Sequence, residues 1–98
     1  MSREYDYLLD SIEKEFYDCF EEMEQDIERG NINHALLDFE CMVSAKNKFS
    51  EILKNPRYEL NNLRNKERYE QIEFDLLRAR NLIASKYICR GWERGRKR

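Results

Sequence analysis

Apolar residues early in the chain recur at steps of three and four: Tyr5, Leu8, Leu9, Ile12, Phe16, Cys19, Phe20, Met23 and Ile27. At 100° per residue they form one stripe about 120° wide, which predicts an amphipathic helix with acids on most of its remaining surface. Ser2 is the expected N-cap. Gly30 is the expected stop, because glycine accepts the left-handed conformation that ends many helices.

A turn over Gly30-Asn31-Ile32-Asn33 supplies an Asn cap for a second helix, expected from about His34 to Lys54, before Asn55-Pro56 ends it. This helix is apolar on two sides. Ile32, Ala35, Leu36, Phe39, Met42, Val43, Phe49 and Leu53 make a broad face, with Leu37, Cys41, Ala45 and Ile52 beside it. Such a helix is commonly the middle member of a bundle, or one that also meets another chain. From 57 to 68 the period lapses, consistent with an ordered loop or a short helix. It returns from about Lys66 with Tyr69, Ile72, Leu76, Ala79, Ile83 and Tyr87, flanked by Phe74, Leu77, Ala84, Ile88 and Trp92. Gly91 is expected to close this third helix.

The pattern predicts an all-α fold: an antiparallel three-helix bundle, with room for a short extra helix between helices 2 and 3. Residues 1–91 form a single helical domain and 92–98 a basic tail. A chain of 98 residues holds one small domain. Its 41% hydrophobic content is enough to build a core although 39% of the residues are charged. No apolar run approaches the roughly 18 residues that span a bilayer, and acids follow the start where a signal peptide needs an apolar block. Three widely spaced cysteines, Cys19, Cys41 and Cys89, suit reduced thiols. No membrane association and a cytoplasmic location are therefore expected.

Charge changes the picture most. The first 28 residues hold eleven acids against two bases, Arg3 and Lys14, whereas the last thirteen hold six bases against Glu93. The formal total of -2 conceals this segregation. Two surfaces follow. On the acidic helix, Tyr7, Asp10, Tyr17, Asp18 and Glu21 are candidate protein-binding residues, able to offer carboxylates to the basic groove of a nucleic-acid-processing enzyme. At the other end Arg90, Trp92, Arg94, Arg96, Lys97 and Arg98 are the alternative, with cations for phosphates and an indole for a base. The second apolar stripes and the opposite charges also point to a homodimer.

Catalytic chemistry finds few residues. His34 is the lone histidine, placed in a first helical turn where a solvated or capping role is expected, and no phosphate loop or nucleophile elbow is present. Three cysteines and one histidine match a zinc ligand count, yet none are spaced as such sites require, so no metal or cofactor is expected. An antiparallel hairpin turning near Asn31 has room for Cys19 and Cys41 to lie level across the first two helices. Gly30, Ala35 and Phe39 in the run Gly-Asn-Ile-Asn-His-Ala-Leu resemble the inter-helix turn of a tetratricopeptide unit over about ten residues; the second helix continues past such a unit's end, as any helical hairpin can. The reading is a non-enzymatic protein-interaction module, a small inhibitor or regulator of the phage type, with nucleic-acid binding as the alternative.

Overall fold

A computed structural model describes the backbone of residues 5–96 and the side chains of residues 5–86. Three helices carry it: α1 (Asp6–Glu28), α2 (Ile32–Lys54) and α3 (Leu63–Arg96). The stripe on α1 is the core face, with Leu9, Phe16 and Met23 fully buried and Ile12 and Phe20 nearly so. The expected Ser2 cap lies outside the described residues. Tyr5 occupies the cap position and makes no side-chain cap bond.

The end of α1 follows from Gly30. At φ +79° it turns the chain left-handed. Its N–H then donates to the Ile27 carbonyl at 3.0 Å, and that of Asn31 to the Asp26 carbonyl at 2.8 Å. This paired closure satisfies carbonyls that a helix end otherwise leaves open. Asn31 Oδ1 immediately accepts from the His34 N–H at 3.3 Å, so α2 starts at Ile32, two residues before the sequence expectation. Ala35, Met42, Ala45 and Phe49 are fully buried on α2. Asn55 is extended at ψ 115°, as the residue before a proline must be.

The 55–62 segment is a turn rather than a short helix. Asn55 organises it by accepting the Arg57 N–H at its side-chain oxygen, 3.0 Å, and the Tyr58 N–H at its carbonyl, 3.2 Å. Leu60 pins the segment to the core with no exposure. Asn62 then caps α3, its Oδ1 accepting the Asn65 N–H at 2.9 Å. That cap starts the helix three residues earlier than the return of apolar period suggested. α3 also passes through Gly91 to Arg96, correcting the expected end at that glycine. A mid-helix glycine costs about 1 kcal/mol against alanine, which flanking helix formers with no proline behind them can absorb.

α1 packs most closely with α2, and α3 lies across both. Facing pairs give the register. Arg68 reaches Asp10 and Glu13, Tyr17 reaches Asp75, and Arg78 lies over the Phe20 ring, so numbers on α1 and α3 rise together about 58 apart. Between α2 and α3 the order reverses, with Phe49 stacked on Tyr69 and Lys46 near Glu73. The result is a rod of 62 × 19 × 16 Å. At this register residues 87–96 run past the end of α1, an overhang of about 15 Å at 1.5 Å per residue.

Candidate functional site

The acidic side of α1 divides into two sets of residues with different work. Arg68, its side chain only 14% exposed, donates through Nη2 to Asp10 Oδ1 at 2.7 Å and Glu13 Oε1 at 3.0 Å. Its other nitrogen donates to Asn65 Oδ1 at 3.2 Å, and Asn65 Nδ2 donates to the Leu60 carbonyl at 2.9 Å. One guanidinium thereby ties the connecting turn, α3 and α1 together, a geometry suited to the planar fork of arginine. Burial disfavours its charge, but its bonds to the Glu13 and Asp10 carboxylates outweigh this and hold it protonated above the ordinary arginine range.

Tyr17, expected on the charged side, turns toward α3. Its hydroxyl donates to Asp75 Oδ2 at 2.6 Å. Asp75 is 5% exposed and also accepts from Gln71 Nε2 at 3.1 Å and Arg78 Nη1 at 3.0 Å. Burial pushes the Asp75 carboxyl up, yet the bonds from Tyr17, Gln71 and Arg78 together pull it below the usual carboxylate range. The same contact, after burial, pushes the Tyr17 phenol well above its ordinary value. A buried carboxylate with every donor in place is a structural tie.

Four of the five acidic-face candidates stand in water, Asp10 among them at 64% side-chain exposure although Arg68 holds it. Tyr7 is 63% exposed, and Asp18 and Glu21 are exposed, Asp18 meeting Lys14 Nζ at 2.9 Å. An exposed pair one helical turn apart contributes little to stability and gives way easily to another partner. Beside them Ser11, Lys14, Glu15, Asp18, Cys19 and Glu22 line an open groove of about 370 Å³. The alternative site lies at the far end of α3. The backbone through Arg96 is helical, which places Arg90, Trp92, Arg94 and Arg96 on the overhang, while their side chains, and Lys97 and Arg98 entirely, lie outside the described residues.

Sequence reasoning named α3's flanking stripe as apolar without making it a site. On it Phe74 is 57% exposed and Leu77 49%. Leu77 borders a cleft of about 190 Å³ between α2 and α3, together with Phe39, Leu76, Lys46, Glu73 and Arg80. The signal was present in the period, since Phe74 and Leu77 fall a quarter-turn or more from the Ile72–Ala79 core line.

Cys19 and Cys41 are near neighbours across α1 and α2, and burial, then Cys41, pushes the Cys19 thiol up to about 11. A thiol so placed stays protonated and weakly nucleophilic at neutral pH. Cys89 lies outside the described residues. His34 is exposed, 3.8 Å from Asp26. Among the described residues no group of three or more His, Cys, Asp or Glu is arranged to hold a metal ion, and no helix is long and apolar enough to cross a membrane. No protein-family model, no curated protein and no solved structure matches this chain.

Proposed function

We propose that the chain is a non-enzymatic protein-interaction module, a small inhibitor or regulator of the phage type that binds another protein through its helical, partly acidic surface. Phe74 and Leu77 carry the reading: two large apolar side chains held about half in water, Leu77 at the edge of a cleft, on a chain whose core is already filled by Phe16, Phe49, Met23 and Met42. Tyr7, Asp18 and Glu21 add an exposed aromatic and carboxylates suited to a basic partner such as a nucleic-acid-processing enzyme. The reading takes the helices as an antiparallel three-helix bundle, the protein as cytoplasmic, and the functional unit as a homodimer.

The α3 overhang favours a second reading, nucleic-acid binding. Positions 90, 94 and 96 lie on a helical stretch of backbone past the last turn of α1, set back along the axis from most of the carboxylates that would repel a polyanion. One experiment separates the two. The immobilised chain is offered host lysate with and without nuclease, beside an F74S/L77S variant, a D18K/E21K variant and a chain lacking Arg94–Arg98. A defined protein retained through nuclease, and lost with either surface variant, supports the interaction reading. Retained nucleic acid that disappears with the truncation supports the second.

A further inference from the structure

Near the connection between α1 and α2 two carboxyl groups are buried against each other, Asp26 at 7% exposure and Asp38 at 9%. A carboxylate withdrawn from water keeps its charge only where donors answer it. Asp26 has exposed nitrogens in reach, Arg29 Nη1 and the imidazole Nδ1 of His34, both at 3.8 Å. Asp38 has none: its Oδ2 is fully buried, and no donor reaches it among the described residues. The polar group it does meet is the Asp26 carboxyl.

Two acceptors in contact are stable only if one of them carries a proton. A neutral Asp38 donates its O–H to the Asp26 carboxylate, and the orphaned oxygen becomes a donor with a partner. We propose that Asp26 and Asp38 share one proton, and that this proton is a pH-sensitive latch on the α1–α2 hairpin. Bound, it ties the helices together beyond their turn; lost, it leaves two abutting negative charges that loosen the same place.

The surroundings fit a group that holds its proton unusually long. Burial, then the bond and charge of Asp26, then Glu22, raise Asp38 to about 6, against a smaller opposing pull from His34 on its own helix. The Cys19 thiol on α1 faces it as well. At this level α3 contributes Arg80 and Lys86, both exposed and therefore screened. Because the folded value lies above the ordinary 3.8, the stability from this group is whole below about pH 3.8 and is lost as pH rises through about 6.

The test is a carbon-detected NMR titration of the wild-type side-chain carboxyls, with thermal unfolding of wild type and D38N. The side-chain amide that D38N introduces would donate to Asp26 at every pH, so the variant is locked in the latched state. One carboxyl assigned to Asp38 should titrate near pH 6, and D26N should move that midpoint down. The lead of D38N over wild type in thermal midpoint should widen by roughly 10 °C between pH 4.5 and pH 8. If every carboxyl has titrated by pH 5, or the lead is the same at both pH values, the shared proton does not exist.

Discussion

The Tyr17–Asp75 contact gives the most direct measure of what fastens α3 to α1. Tyr17→Phe keeps the ring, and so its edge-on contact with Phe16 at 4.9 Å between centroids, and removes only the hydroxyl that donates to Asp75 at 2.6 Å. No cavity opens, so packing contributes nothing to the loss. A hydrogen bond to a charged acceptor is worth about 1.5–3 kcal/mol. Asp75 is not orphaned by the change, since Gln71 and Arg78 still donate at 3.1 and 3.0 Å. The middle of that range, about 2 kcal/mol, is therefore expected at pH 7. With a urea dependence near 1.5 kcal/mol per molar, the unfolding midpoint falls by about 1.3 M. The pH dependence supplies a second check. Burial raises Asp75 and its three donors more than reverse this, so its folded value lies below the ordinary 3.8. Its contribution is present above about 3.8 and is lost as pH falls through the lower folded value. The deficit of the variant should therefore shrink in acid. A loss under about 0.5 kcal/mol at pH 7, or one equally large at pH 3, would refute the account and return Tyr17 to the surface available for a partner.

Two further substitutions probe the connections. Gly30→Ala should cost about 1 kcal/mol, all of it conformational, because no atom lies within 4 Å of the added methyl while φ stays at +79°; chemical denaturation reads it, and Gly30→Asn should cost less. Arg68→Lys should cost about 1–2 kcal/mol, since one ammonium cannot serve Asp10, Glu13 and Asn65 as the guanidinium does at 2.7, 3.0 and 3.2 Å. A double-mutant cycle with Glu13→Gln assigns the share that belongs to the carboxylate, and a coupling near zero would show that the shortening of the side chain alone is felt.

Helices with one dominant stripe were legible from the sequence, because burial on a single face repeats every 3.6 residues whatever the neighbours are. Leu9, Phe16 and Met23 on α1 illustrate this, as do Ile72 and Ala79 on α3. What sequence missed was set by side-chain hydrogen bonds with no period. Asn62 and Asn65 look like loop residues in a polar stretch, yet one caps α3 and the other, 2% exposed, holds the Leu60 carbonyl and Arg68. Gly91 read as a stop because glycine breaks helices on average, while the backbone around it stays helical. Tyr17 and Asp10 read as free for a partner because acids surround them, although Asp10 does stay at the surface. Their partners lie 58 residues away, a separation at which no local pattern speaks.

Those long-range pairs also bear on what the charge segregation is for. Opposite charge at the two ends of a sequence suggests that the basic end exists to cover the acidic helix within the chain. Among the described residues, the cross-helix answer to α1's acids comes instead from Arg68 in the second turn of α3 and Lys48 on α2, while Arg78 serves Asp75 on its own helix. Register then carries the positions from 87 onward beyond the last turn of α1. An Arg68 that reaches Asp10 and Glu13 marks that register, and moving the overhang back over the acids would break this half-exposed cluster together with the core contacts of Ile72 and Ala79, a larger loss than surface attractions return. The stronger internal tie thus keeps the exposed carboxylates around Asp18 and Glu21 apart from the basic end. Surfaces of opposite sign, held apart by the core of the same molecule, can be neutralised together by other molecules, which is the physical case for reading this protein as a binder.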